Sequence, residues 1–230
     1  MIAPTPDDRT PIDPTAVAAA LAQVRHRIVD AGGDPERVRV LAVTKGFGPA
    51  AVDAARAAGL GAVGENYAAE LAEKFAALAG GGVAWHFLGA IQRNKVARLA
   101  PVVDCWQGVA RLAEGEAIAR HRPGATVLVQ VVADGAPGRN GVTLDAVGPL
   151  VAGLAGLGLD VRGLMVVAPP DPGSARATFA TLRRLADDLG LPERSMGMTE
   201  DLEAAVREGS TMVRIGRALF GARPPDLRPR

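Results

Sequence analysis

Apolar positions along the chain fall either into helical stripes or into short unbroken runs. Asp13 precedes Pro14, and Val17, Leu21, Val24 and Ile28 follow at spacings of four, three and four. That spacing lines one face of a helix, capped by the Asp13 carboxylate and opened by a proline whose missing N–H needs no partner there. Gly32 and Gly33 end it. Runs and stripes then alternate. Strands are predicted over 38–43, 62–65, 84–88, 102–106 and 126–132, with helices over 49–58, 92–100 and 111–120 and another marked by Leu71, Phe75 and Leu78. A helix striped by Val147, Leu150, Val151 and Leu154 leads to a strand over 161–166, and one carrying Phe179, Leu182, Leu185 and Leu189 leads to a weaker strand at 194–196. Leu202 and Val206 mark a last helix, expected to be capped by Thr199, ahead of a strand over 212–215.

Short apolar strands without polar alternation are buried on both faces, as in a parallel sheet clothed by helices. Eight strand–helix units in about 190 residues fit a closed barrel. The predicted fold is therefore α/β, a single (β/α)8 TIM-type barrel with an extra N-terminal helix. An open doubly wound sheet would carry a glycine-rich nucleotide turn after its first strand. Thr44-Lys45-Gly46-Phe47-Gly48-Pro49 matches neither that turn nor the P-loop. Residues 1–12, rich in proline and charge, read as a flexible tail, 13–223 as the barrel domain and 224–230 as a C-terminal tail.

Composition narrows the function. Of 230 residues 48% are hydrophobic, enough for one sizeable core, and the net charge is +1 with acids and bases interspersed. A nucleic-acid partner is not expected, since the basic cluster of Arg93, Lys95 and Arg98 reads as the solvated face of a helix. Nor is a membrane, because no stretch approaches the roughly 18 apolar residues that a span needs. A single cysteine, Cys105, excludes an internal disulfide, and its apolar run reads as a buried inert thiol. The N-terminus lacks a signal peptide's apolar core, so a cytoplasmic location is expected. His86 reads as a hydrogen-bonded core residue, and no cysteine, histidine or acid cluster has metal spacing.

In such a barrel the chemistry sits where strands end. Those positions hold Lys45, Asn66, Met165, Ser195 to Thr199, and Arg214 to Arg217. Lys45 follows Leu41-Ala42-Val43-Thr44 and emerges from an apolar strand. Desolvation there would favour the neutral amine, which attacks an aldehyde to give an imine. The alternative is a lysine that snorkels to solvent. Ser195-Met196-Gly197-Met198-Thr199 precedes a helix and Gly216 follows the last strand, so their backbone N–H groups could cradle a phosphate, or Thr199 could simply cap and Gly197 simply turn. Arg214 is a charge inside an apolar strand. It either points inward to an acceptor or outward to a helix carboxylate such as Glu203 or Glu208.

Six stretches in order carry a resemblance. They are Ala42-Val43-Thr44-Lys45; Gly64-Glu65-Asn66-Tyr67; Trp85-His86-Phe87-Leu88-Gly89 with Gln92-Arg93-Asn94-Lys95; Arg162-Gly163-Leu164-Met165; Ser195 through Ala205; and Gly209 through Gly216, running on to Phe220-Gly221-Ala222-Arg223. Together they resemble the pyridoxal phosphate homeostasis proteins, single-domain relatives of the alanine racemase barrel. The resemblance implies that pyridoxal 5′-phosphate (PLP) is held as a Schiff base on Lys45, with Asn66 against its ring and Met165 lining the pocket. It also implies Ser195, Gly197, Thr199 and Gly216 at the phosphate and Arg214 at the pyridine nitrogen. Thr44 and Thr199 stand where the family often has serine, and both keep the hydroxyl. Arg139 stands where many relatives have lysine; it stays protonated and forms no imine, so a transfer role tied to that lysine is not expected here. The resemblance assigns no role to Gln92, Asn94 or Lys95.

The function implied is binding and buffering of PLP inside the cell, with delivery to PLP-dependent apo-enzymes, by a monomer without catalytic activity. The alternative is a PLP-dependent amino-acid racemase. Racemisation needs a proton donor on each face of the α-carbon, and the short sequence after the barrel leaves no room for the second domain that supplies one in alanine racemase. A third reading, a sugar-phosphate barrel enzyme, would have Lys45 attack a substrate carbonyl.

Overall fold

Asp13 caps the first helix as predicted: its carboxylate accepts the N–H of Thr15 at 2.9 Å, and α1 runs Pro14–Asp30 with Val17, Leu21, Val24 and Ile28 buried. In the computed structural model, which describes residues 12–132 and 140–222, strand and helix then alternate. The first half comprises β1 (Arg39–Val43), α2 (Pro49–Ala57), β2 (Ala62–Glu65), α3 (Ala68–Ala77), β3 (Ala84–Phe87), α4 (Arg93–Leu99), β4 (Cys105–Val109) and α5 (Leu112–His121). The second comprises β5 (Thr126–Val131), α6 (Val147–Gly156), β6 (Asp160–Val166), α7 (Pro172–Asp188), β7 (Glu193–Ser195), α8 (Leu202–Arg207), β8 (Met212–Ile215) and a short α9 (Arg217–Phe220). The strands pair in chain order, all parallel, and β8 returns to β1, with Leu41 opposite Arg214. Among the described residues this is the closed eight-stranded barrel that the sequence predicts.

Two local expectations are corrected. The fourth strand lies at Cys105–Val109, not over 102–106. The N–H groups of Val102 and Val103 both turn back to the Leu99 carbonyl and finish α4, while Gln107, too polar to read as strand, is fully buried by facing the barrel interior. The cap of α8 is Asp201, not Thr199, which lies in the approaching loop.

Strand parity sorts the side chains. Ala42, Val63, Trp85, Phe87, Trp106, Val127, Leu164, Val213 and Ile215 face outward into the large core shared with the helices. Their neighbours face the barrel axis in two small apolar clusters, Leu41, Val43, Leu88 and Met212 in one and Cys105, Leu128 and Met165 in the other. Between them lies a polar seam of His86, Gln107 and Ser195, linked side chain to side chain.

Candidate functional site

The inward set runs to the C-terminal ends of the strands and on past them, and that is what assembles the site. Lys45 keeps the parity of Leu41 and Val43, Asn66 that of Gly64, and Arg214 that of Met212. With Met165, Thr199 and Gly216 they line a cavity of about 1360 Å³ at the C-terminal end of the barrel. Six of the eight residues singled out in the sequence thus meet around one opening.

Lys45 is half-buried, and the backbone on either side of it is fixed from α3. Lys74, a fully buried lysine of that helix, donates to the Thr44 carbonyl at 2.8 Å and to the carboxylates of Glu65 and Glu70. The Thr44 hydroxyl donates to Glu65 at 2.6 Å, and Glu70 accepts the Gly46 N–H at 2.8 Å. Burial pushes the Glu65 carboxyl above the usual carboxylate range, and the Lys74 ammonium pulls against it. Next to Glu65, the Asn66 Oδ1 is buried with no hydrogen-bond partner. Only glycine fits at position 89, because a Cβ there would stand 2.0 Å from the Asn66 carbonyl oxygen.

Arg214 points inward. Its guanidinium donates to the Ser195 carbonyl at 2.6 Å, to the Ser195 Oγ at 3.0 Å and to the Val166 carbonyl at 2.7 Å. The outward alternative falls away, since Glu203 is held by Arg27 and Glu208 by Arg176. Burial lowers the guanidinium's pKa to about 10, with Asp201 acting in the opposite direction, which leaves it cationic at neutral pH.

Ser195 and Gly197 stand behind the cavity rather than on its wall. Ser195 is fully buried, and its hydroxyl donates to the Gln107 Oε1 at 2.7 Å, so it supports Arg214 from below. Gly197 has φ +96°, and a Cβ there would meet that of Ala205 at 2.5 Å, so the turn and the close packing of α8 both require glycine. Thr199 lines the cavity while its carbonyl accepts from Arg27 at 2.8 Å. Gly216 sits at the start of α9.

Several residues that shape the site escaped sequence reading. Arg27 bonds two lining residues, Thr199 and Glu203, while Lys74, Glu70 and Gln107 hold the chain neighbours or supports of lining residues, and Gln130 lines the cavity itself with Asn140 donating to it at 2.7 Å. Lys74 had a signal: it follows Leu71 by three residues, on the buried face of α3. Arg139 lies outside the described residues. Burial drives the Cys105 thiol up to about 12 and the His86 imidazole down to about 4. Arg93, Asn94, Lys95 and Arg98 are exposed on α4. Among the described residues no helix is long and apolar enough to cross a membrane, and no group of three or more histidines, cysteines and acids could hold a metal ion.

Residues 12–224 match the family model for the alanine racemase N-terminal domain. The chain is 41% identical over 216 residues to the pyridoxal phosphate homeostasis protein of Pseudomonas aeruginosa, covering 90% of this chain and 94% of that one. It is 37% identical over 227 residues to the protein of the same name from Escherichia coli, covering 90% and 97%. Among solved structures, PipY of Synechococcus elongatus with PLP bound superposes with a TM-score of 0.79 at 31% identity, over 89% of this chain and all of that one.

Proposed function

The chain belongs to the alanine racemase N-terminal domain family and, within it, to the pyridoxal phosphate homeostasis proteins, and from that membership we propose that it binds PLP in cellular homeostasis of the cofactor. The residues at the barrel mouth fit the group. A primary amine, a buried amide oxygen without a partner, a guanidinium and a glycine-bordered loop suit a planar aldehyde that carries a phosphate and a ring nitrogen. When bound, the cofactor supplies an aldehyde that condenses with amines and a ring that accepts electron density.

In this reading Lys45 carries the covalent link, Asn66 and Met165 bracket the ring, and Arg214 faces the ring nitrogen. Thr199 and Gly216 border the phosphate, while Ser195 and Gly197 hold Arg214 and the loop from behind. An arginine at that nitrogen keeps it unprotonated, and so restrains the ring as an electron sink. The barrel over 13–223 would be the binding unit, acting as a cytoplasmic monomer that buffers the cofactor and delivers it to PLP-dependent apo-enzymes.

A carrier is favoured over a racemase by what lines the cavity. Among the described lining residues there is no histidine, cysteine or tyrosine. The three lining carboxylates are committed, Glu200 to Arg217, Glu203 to Arg27 and Asp201 to the Met198 N–H. Racemisation needs, besides the Lys45 amine, a second group on the opposite face that is free to move a proton near neutral pH.

The observation that carries the proposal is the convergence of Lys45, Asn66 and Arg214 on one opening. Added PLP should give a yellow protein, bleached by borohydride, with the label recovered on the Lys45 peptide. Lys45→Ala should stay colourless and folded. A label on another side chain, or a wild-type protein that takes up no cofactor, would overturn it. Alanine or serine racemisation above about 1 s⁻¹, ordinary enzyme turnover, would overturn the carrier role.

A further inference from the structure

The helix that precedes the barrel repeat needs an explanation, since eight strand–helix units close without it. Its apolar stripe docks α1 against α2, α8 and α9, and the turn after it is so close to α8 that a Cβ at Gly33 would meet Val206 Cγ1 at 2.5 Å. Beside the stripe, Arg27 reaches over the β7–α8 loop. Its Nε donates to Glu203 Oε1 at 2.6 Å, and its Nη2 donates both to Glu203 Oε2 at 2.9 Å and to the Thr199 carbonyl at 2.8 Å. Thr199 and Glu203 both line the cavity.

We propose that Arg27 is a positioning residue for the phosphate of the cofactor, holding the Thr199 loop from α1 and neutralising the carboxylate of Glu203 beside it. The inference rests on the reading above, that the β7–α8 and β8–α9 loops receive the phosphate. Two physical effects contribute. The first is geometric: the start of the loop is tied to Arg214 through the Gly197 carbonyl at 2.9 Å, and its end is closed by Asp201 on the Met198 N–H at 2.6 Å. Arg27 fixes the Thr199 carbonyl between those ties, and with it the direction of the peptide that follows. The second is electrostatic, because a phosphate beside an unpaired Glu203 would meet like charge. The pair is strong enough to raise the Arg27 pKa and to hold the Glu203 carboxyl below its usual range. A planar fork suits this double duty better than an ammonium, which has no second parallel N–H to offer.

The test compares PLP with pyridoxal, the same aldehyde without phosphate, by absorbance titration. Wild-type protein should bind PLP far more tightly than pyridoxal. Arg27→Ala should lose about tenfold or more in PLP affinity, the scale of one charged hydrogen bond, with pyridoxal affinity unchanged. Arg27→Lys should recover part of the loss, and Arg27→Ala/Glu203→Gln should recover the electrostatic share alone. Hydrogen exchange supplies a readout without cofactor: amides of residues 198–201 should exchange faster in Arg27→Ala than in wild type. If Arg27→Ala does not fold, the same comparison runs on Arg27→Lys, which should show a smaller loss confined to PLP. PLP affinity unchanged in the variants, or PLP and pyridoxal weakened equally, would overturn the role of Arg27 alone. Equal affinity of the wild type for PLP and pyridoxal would overturn the phosphate reading and this inference with it.

Discussion

Acid should unfold this barrel from the inside, through one histidine. His86 is buried on the interior face of β3, and its Nδ1 lies 2.7 Å from Gln107 Nε2. The direction of that hydrogen bond follows from its far end. A guanidinium only donates, so Ser195 Oγ accepts from Arg214 and gives its one proton to Gln107 Oε1. The amide must then present its NH2 to His86, whose Nδ1 can only accept, which leaves the ring neutral with its proton on Nε2. Burial is the largest cause pushing the imidazole from 6.5 down to about 4; the positive charge of Arg39 adds to it and Asp104 opposes it. An unfolded chain therefore takes up this proton first as pH falls. The stabilisation is whole above pH 6.5 and is lost between there and about pH 4, at a cost of about 3 kcal/mol. Against a domain stability of about 5–15 kcal/mol that is a large share. Urea unfolding at pH 7, 5.5 and 4.5 should therefore show wild type losing, by pH 4.5, about 2 kcal/mol more than His86→Gln, which keeps an acceptor for Gln107 but does not titrate. Parallel losses in the two proteins would refute the reasoning, since carboxylates elsewhere titrate in both.

Two further substitutions test the supports of the site. Lys74→Met strands the buried Glu65 carboxylate without its counter-ion, and should cost about 3–5 kcal/mol in urea unfolding at pH 8 but less at pH 5, where Glu65 can take a proton instead; a cost independent of pH would contradict this. Gly89→Ala would press a Cβ onto the Asn66 carbonyl and should weaken PLP uptake by about tenfold or more in an absorbance titration. Gly61→Ala, where a Cβ meets nothing within 4 Å, should change nothing, and equal behaviour of the two would remove the case for close packing at Gly89.

The fold was legible because parallel strands buried on both faces leave short apolar runs, as at Val127-Leu128-Val129 in β5 and Leu164-Met165-Val166 in β6. It failed at β4, where the axis-facing side of the strand carries the buried polar Gln107. Gln107 is buried there by a partner on β7 that lies 88 positions away, and a window of neighbouring residues cannot see it. At Thr199 the competing residue is local. The threonine hydroxyl suits a cap, but Asp201 reaches the loop N–H of Met198 and fixes the helix start two residues later.

The wall of the site was legible where parity carries along a strand, as at Arg214, or past its end, as at Lys45 and Asn66. What holds the wall was not, because each support crosses the fold: Arg27 reaches Glu203 across 176 positions, and Lys74 reaches the Thr44 carbonyl across 30. The two kinds of residue also differ in what they tolerate. Lining groups face an open cavity, whereas Lys74, Gln107 and Ser195 are buried polar groups whose removal leaves a partner unsatisfied. Arg214 belongs to both kinds at once. It lines the cavity and also sets the donor direction of the seam that runs through Ser195 and Gln107 to His86. The same guanidinium thus lines the cavity and keeps the His86 ring neutral through the seam, so a change at Arg214 reaches both the opening and the barrel interior.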